Sequence, residues 1–189
     1  MTILESTSTT HEADIRQLQE VVVRSAFELF AASGVTVTRI SGPRLRHPKH
    51  LQDLVGMIGF AGPSAKGSIG IRTPRVVAVQ THPLRASGPI DEAASEDWMG
   101  ELTNRLLGRV KNHCLSLGLE LYIGVPRVVT GTAMDLPLAR EGDSFTLHFD
   151  CDGMDIDIGL AVVTTANGSL FSCPIEEPPA RESTLLFFE

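Results

Sequence analysis

Residues 96–113 read EDWMGELTNRLLGRVKNH, and the polar side of this amphipathic stretch carries Glu101 with Asn104 three residues on. A helix surface usually offsets a glutamate at that distance with lysine or arginine, because such pairs stabilise the helix slightly. Here a carboxylate, which accepts from cations, stands beside a carboxamide, which donates and accepts while carrying no charge. Gly108 follows on the same strip, giving an i, i+3, i+7 spacing. A mid-helix glycine costs on the order of 1 kcal/mol against alanine, and letting another surface approach the backbone is one reason to tolerate it. The E-x-x-N spacing also arises easily by chance, so two solvated side chains and a packing detail are the plain alternative.

Other chemistry-bearing groups are weaker. His47 and His50 in HPKH have a spacing that a metal could use on a helix, but Pro48 argues against a helix there. With Arg44, Arg46 and Lys49 they read as a solvated basic loop able to steer an acidic surface. Asp150, Asp152, Asp155 and Asp157 in DCDGMDID lack the glycine and glutamate that an EF-hand loop needs, and read as exposed acids on a hairpin. No Ser/His/Asp or Cys/His motif stands out, and GFAGPSAKG lacks the G-K-[ST] of a phosphate-binding loop.

The chain has 189 residues, 42% of them apolar, 21% charged, with net charge −7 and pI near 5.3. One ordinary core can form without disulfides or metals. The acidic balance argues against nucleic-acid binding, which needs a basic face. Cys114, Cys151 and Cys173 show no paired spacing and read as free thiols in a reducing compartment. The N-terminus has no secretory pattern and no apolar run is long enough to cross a bilayer, so a cytoplasmic protein without membrane contact is expected.

The elements that must position Glu101 and Asn104 repeat. Residues 1–11 are expected to be a mobile, Ser/Thr-rich segment. A helix follows over about 12–33, with Ile15, Leu18, Val22, Ala26 and Leu29 at helical spacing and Gly34 as the stop. VTVTRIS alternates as a strand, LVGMIGFAGPSAKGSIGIRT is a hairpin, and 75–82 is a short helix ending at Pro83. After a linker, a helix over about 95–117 stopped by Gly118 buries Trp98, Met99, Leu102, Leu106, Val110, Cys114 and Leu117. LELYIGVPRVVTG is then a strand, followed by an irregular stretch and a hairpin turning at Asp152-Gly153. GVTVTRISGPRL beside GLELYIGVPRVV shows the echo, with Arg44 and Arg127 after matching prolines at an offset of 83 (127 − 44). The reading is an α/β fold: a pseudo-twofold, duplicated helix–strand–hairpin unit sharing a mostly antiparallel sheet with long helices packed on it. A single domain spans 12–172, its halves about 12–83 and 91–172, and 173–189 is a tail whose LLFF end (Leu185 to Phe188) is expected to dock on its own sheet rather than meet a partner.

GELTNRLLG followed by GVPRVVTG resembles the CheX/CheC/FliY family of chemotaxis response-regulator phosphatases, whose helix carries E-x-x-N within E-x-x-N-x-x-x-G ahead of a strand ending near S-x-P. The resemblance implies a CheC-like fold and, as substrate, a phosphorylated CheY-type receiver domain. Glu101 would then anchor on the receiver's lysine, and Asn104 would hold a water in line with the aspartyl phosphate. Gly108 and Arg105 would touch the partner. The family chemistry implies no cofactor of the chain's own, with Mg2+ supplied by the receiver. At the offset of 83, Leu18 and Val21 stand opposite Glu101 and Asn104, so a single CheX-like site is expected, with a homodimer through sheet edges as a possibility. The chain departs from the family pattern at Arg109 after Gly108 and at Gly124, where serine is common. The rival reading is a non-catalytic scaffold related to flagellar switch proteins.

Overall fold

The computed structural model describes residues 3–41, 51–165 and 170–171. The basic loop with His47 and His50, and the 173–189 tail with its LLFF end, lie outside the described residues.

Helix α1 (Ile3–Ala32) is followed by strand β1 (Thr38–Ile40), the hairpin β2 (Gln52–Ala61) and β3 (Ala65–Pro74), and the short helix α2 (Arg75–Thr81). Helix α3 (Glu92–Ser116), strands β4 (Tyr122–Ile123) and β5 (Arg127–Thr132), and the hairpin β6 (Asp143–Cys151) and β7 (Met154–Thr164) are the remaining elements among the described residues. The strands form one antiparallel sheet ordered β1-β6-β7-β3-β2-β4, with β5 also pairing with β2. The first strand of each half therefore lies against the other half's hairpin: Arg39 pairs with Phe149 and Ile123 with Phe60. The two hairpins meet along β3 and β7. This is the pseudo-twofold arrangement that the repeat implies.

Alternation sorts the strands' two faces. Ile69 and Ile71 of β3, with Ile156, Ile158, Leu160 and Val162 of β7, enter the core beneath the helices. The helices contribute Leu18, Val22, Ala26, Leu29 and Phe30 from α1, and Met99, Leu102, Leu106, Leu107, Val110 and Cys114 from α3. On the reverse face a Cβ on Gly70 would meet Leu136, and one on Gly159 both Leu136 and Leu138, so the irregular stretch after β5 crosses there as a cover. The acids expected to be exposed on the second hairpin divide by the same rule. Asp155 and Asp157 point to this covered face and are buried, and Asp157 accepts from the Arg72 guanidinium at 2.6 Å. A buried carboxylate must be paired in this way.

Three further expectations are corrected. α1 begins at Ile3, well before residue 12; a helix already packed at Leu18 extends at little cost per residue, and serine and threonine are only mildly unfavourable in it. The strand expected over LELYIGVPRVVTG is two strands, because Pro126 has no N–H to donate and Gly124 N turns to Gly59 O at 2.9 Å. Finally, the helices are offset by 84. Gly34 and Gly118 both take positive φ (71° and 80°) at the helix ends, Val35 N bonds Phe30 O, and Leu119 N bonds Cys114 O. Leu18, Val22 and Ala26 then match Leu102, Leu106 and Val110, all buried. The letter repeat hid one residue gained between helix end and proline. Gln17 and Glu20 therefore stand opposite Glu101 and Asn104, rather than Leu18 and Val21.

Candidate functional site

α3 is pinned along its length. Asp91 caps its start by accepting from Ala94 N at 2.8 Å, satisfying a donor that the helix itself cannot. Arg75 reaches Glu92 at 2.6 Å and Glu96 at 3.8 Å, and Gln52 also donates to Glu92. The Arg75 hydrogen bond, foremost, holds the Glu92 carboxyl below its ordinary range. One turn on, Trp98 Nε1 donates to Thr81 Oγ1 at 3.0 Å, with His82 against its ring. At mid-helix the approach to β2 is so close that a Cβ on Gly56 would lie 2.0 Å from Thr103 Oγ1.

With the buried stripe fixed this way, the opposite strip faces solvent beside β5. Glu101 and Asn104 line one open cleft of about 410 Å³ together with Glu96, Asp97, Gly100, Pro126 and Val128. Asn104 is exposed. The Glu101 carboxylate is 43% exposed and accepts from Arg105 Nε at 2.6 Å, while the Arg105 guanidinium lies 5.0 Å from the Trp98 ring centre. Gly108 lies outside the cleft lining, and a Cβ there would meet nothing within 4 Å, so no contact within the described chain requires glycine. The cleft thus brings Glu101 and Asn104 together, with Arg105 behind Glu101 and Gly108 further along the helix.

Its second wall, Pro126 and Val128, was absent from the sequence reading as a site feature. The G-V-P break is its local signal, since a helix pattern does not show which strand will pack beside it. Chemically, the cleft offers an uncharged donor–acceptor on a rigid helix beside a carboxylate. Among the described residues, no group of three or more His, Cys, Asp or Glu side chains is placed to hold a metal ion, and no helix is long and apolar enough to cross a membrane.

A family model for the chemotaxis phosphatase CheX matches residues 54–150. Among solved structures, the chemotaxis protein CheX from Vibrio vulnificus superposes with TM-score 0.66 at 19% identity, covering 77% of this chain and 96% of that one. A CheC-like superfamily protein from Shewanella sp. PV-4 gives 0.65 at 23%, covering 77% and 97%. A chain of the CheX–CheY–BeF3–Mg2+ complex from Borrelia burgdorferi gives 0.55 at 17%, covering 78% and 96%. A comparison with curated proteins gave no match.

Proposed function

The chain belongs to the CheX family of chemotaxis phosphatases, and on that premise we propose that it hydrolyses the aspartyl phosphate of a CheY-type receiver domain. The observation that carries the reading is the shared cleft of Glu101 and exposed Asn104 on a pinned helix. Phosphoryl transfer to water needs positioning and charge neutralisation more than covalent help. The Asn104 Oδ1 accepts from the attacking water, and its Nδ2 can donate to a phosphoryl oxygen. An aspartate at that position would set a negative charge against the phosphate. Glu101 anchors on the receiver's lysine, and Arg105 and the open strip at Gly108 lie at the contact. The receiver brings the Mg2+, and a receiver partner sets the site of action in the cytoplasm. A homodimer joined edge to edge belongs to the same proposal; β1 is the sheet edge away from the cleft, so pairing there leaves Asn104 accessible.

The scaffold reading draws on one observation: Glu101 already has a partner within the chain. The deciding experiment follows phosphate loss from a phosphorylated, magnesium-loaded CheY-type receiver of the same genome. Wild type should accelerate decay, and Asn104→Ala should lose about 100-fold or more of that acceleration, the scale on which misplacing a reacting group acts. A wild type inert toward every such receiver would leave the scaffold reading in place.

A further inference from the structure

Val125 is 83% exposed, the most exposed of the large apolar side chains described, and Tyr122 (57%) and Val129 (54%) follow it along one sheet edge. The break between β4 and β5 pushes it out, because β2 pairs with Ile123 and resumes only at Arg127. Single exposed apolar residues are ordinary, but Val125 directly precedes Pro126, which lines the cleft with Val128, whereas Tyr122 and Val129 alternate to the other face of the sheet from Ile123 and Val128. On the opposite rim, Glu92 and Glu96 are paired with Arg75, and Glu101 with Arg105. Asp97 also lines the cleft and has no partner among the described residues. It lies one turn from Glu101, where like charges destabilise a helix. Asp97 thus lines the cleft beside Asn104, and Val125 immediately precedes Pro126 of the facing wall.

We propose that the receiver is gripped across both rims, with Val125 entering an apolar depression beside its phosphorylation site and Asp97 meeting a cation there. This rests on the phosphatase reading and names what selects the receiver. An apolar side chain desolvated in a pocket governs affinity, whereas a solvated charge governs encounter and its salt dependence.

The test titrates the full chain with a beryllofluoride-loaded, magnesium-bound CheY-type receiver and follows phosphate loss for Val125→Asp and Asp97→Asn. Val125→Asp should raise Kd and KM about tenfold, as loss of a buried valine implies, with kcat at saturation within about twofold of wild type. Asp97→Asn should raise KM about threefold and flatten its salt dependence. Asn104→Ala, by contrast, should lower kcat and keep Kd. Kd and KM unchanged in Val125→Asp overturn the surface while the phosphatase reading stands. A wild type that binds the receiver without speeding decay defeats the phosphatase reading, and Kd alone then decides the surface. Absence of any binding overturns both. A Val125→Asp chain that turns from dimer to monomer by light scattering, with receiver binding intact, assigns the edge to a second copy and overturns the proposal. Should Val125→Asp lose its native circular dichroism, Val125→Ala is read instead, with the same sign and about threefold size.

Discussion

Glu101 meets any partner with Arg105 already on its Oε1, so its availability depends on how tightly that pair is held. The two side chains are 43% and 50% exposed and lie at i, i+4 on one helix, a setting in which ion pairs contribute about 0.3–0.5 kcal/mol. Stacking on Trp98 adds on the order of 0.5–1 kcal/mol for Arg105, independently of Glu101. Arg105→Ala should therefore lower stability by about 1 kcal/mol, most of it retained when Glu101→Ala is already present. A double-mutant cycle of urea melts reads the difference, and a coupling near 0.5 kcal/mol leaves the carboxylate free to exchange onto a lysine. A coupling above about 1.5 kcal/mol would mean that Glu101 is committed to its own helix, and the anchoring role would fail.

At the scale of the element, α3 owes its orientation partly to α1. His113 Nε2 sits 3.1 Å from Glu28 Oε2 across the interface between the helices. That hydrogen bond, ahead of the weaker opposing effect of burial and the help of Arg24, lowers the Glu28 carboxyl below its ordinary 4.5. A depressed carboxylate contributes stability above its unfolded value and loses it as pH falls through the folded one. Glu28→Gln should accordingly be less stable than wild type at pH 6, with the gap closing as the pH drops below about 4.5; urea melts at pH 6 and pH 3.5 decide it. A gap that persists at pH 3.5 would assign the loss to packing instead. This clamp was illegible in the sequence, since Glu28 and His113 are 85 residues apart. What was legible had a local physical cause. The Asp152-Gly153 turn followed from two residues that tolerate positive φ (52° and 78°), and the buried stripe of α3 from its apolar spacing. The site's polar strip was readable for the same reason, as the reverse of that stripe. The Pro126 and Val128 wall was not, because a helix pattern carries no record of which strand lies beside it.

Across the whole molecule, duplication raises the question of how many sites the fold carries. The matched helix ends put Gln17 and Glu20 on α1 where α3 has Glu101 and Asn104. The residue types are reversed: under the proposed mechanism a neutral amide would stand where the lysine anchor is needed, and a carboxylate where the water must be held against a phosphate. Glutamate there would repel the substrate, and glutamine offers no charge to a lysine. On the proposed mechanism α1 keeps the architecture without the chemistry, while it packs Leu18, Val22 and Ala26 into the core. Gln17 is half-buried and Glu20 exposed, so Gln17→Ala/Glu20→Ala should change stability by no more than about 1 kcal/mol. Its kcat/KM for receiver dephosphorylation should stay within about twofold of wild type. Asn104→Ala on its own should return decay to the receiver's intrinsic rate. Stopped-flow measurement of both variants counts the sites: activity near half of wild type in Asn104→Ala, abolished only when Gln17 and Glu20 are also replaced, would show that both halves of the sheet carry a working helix.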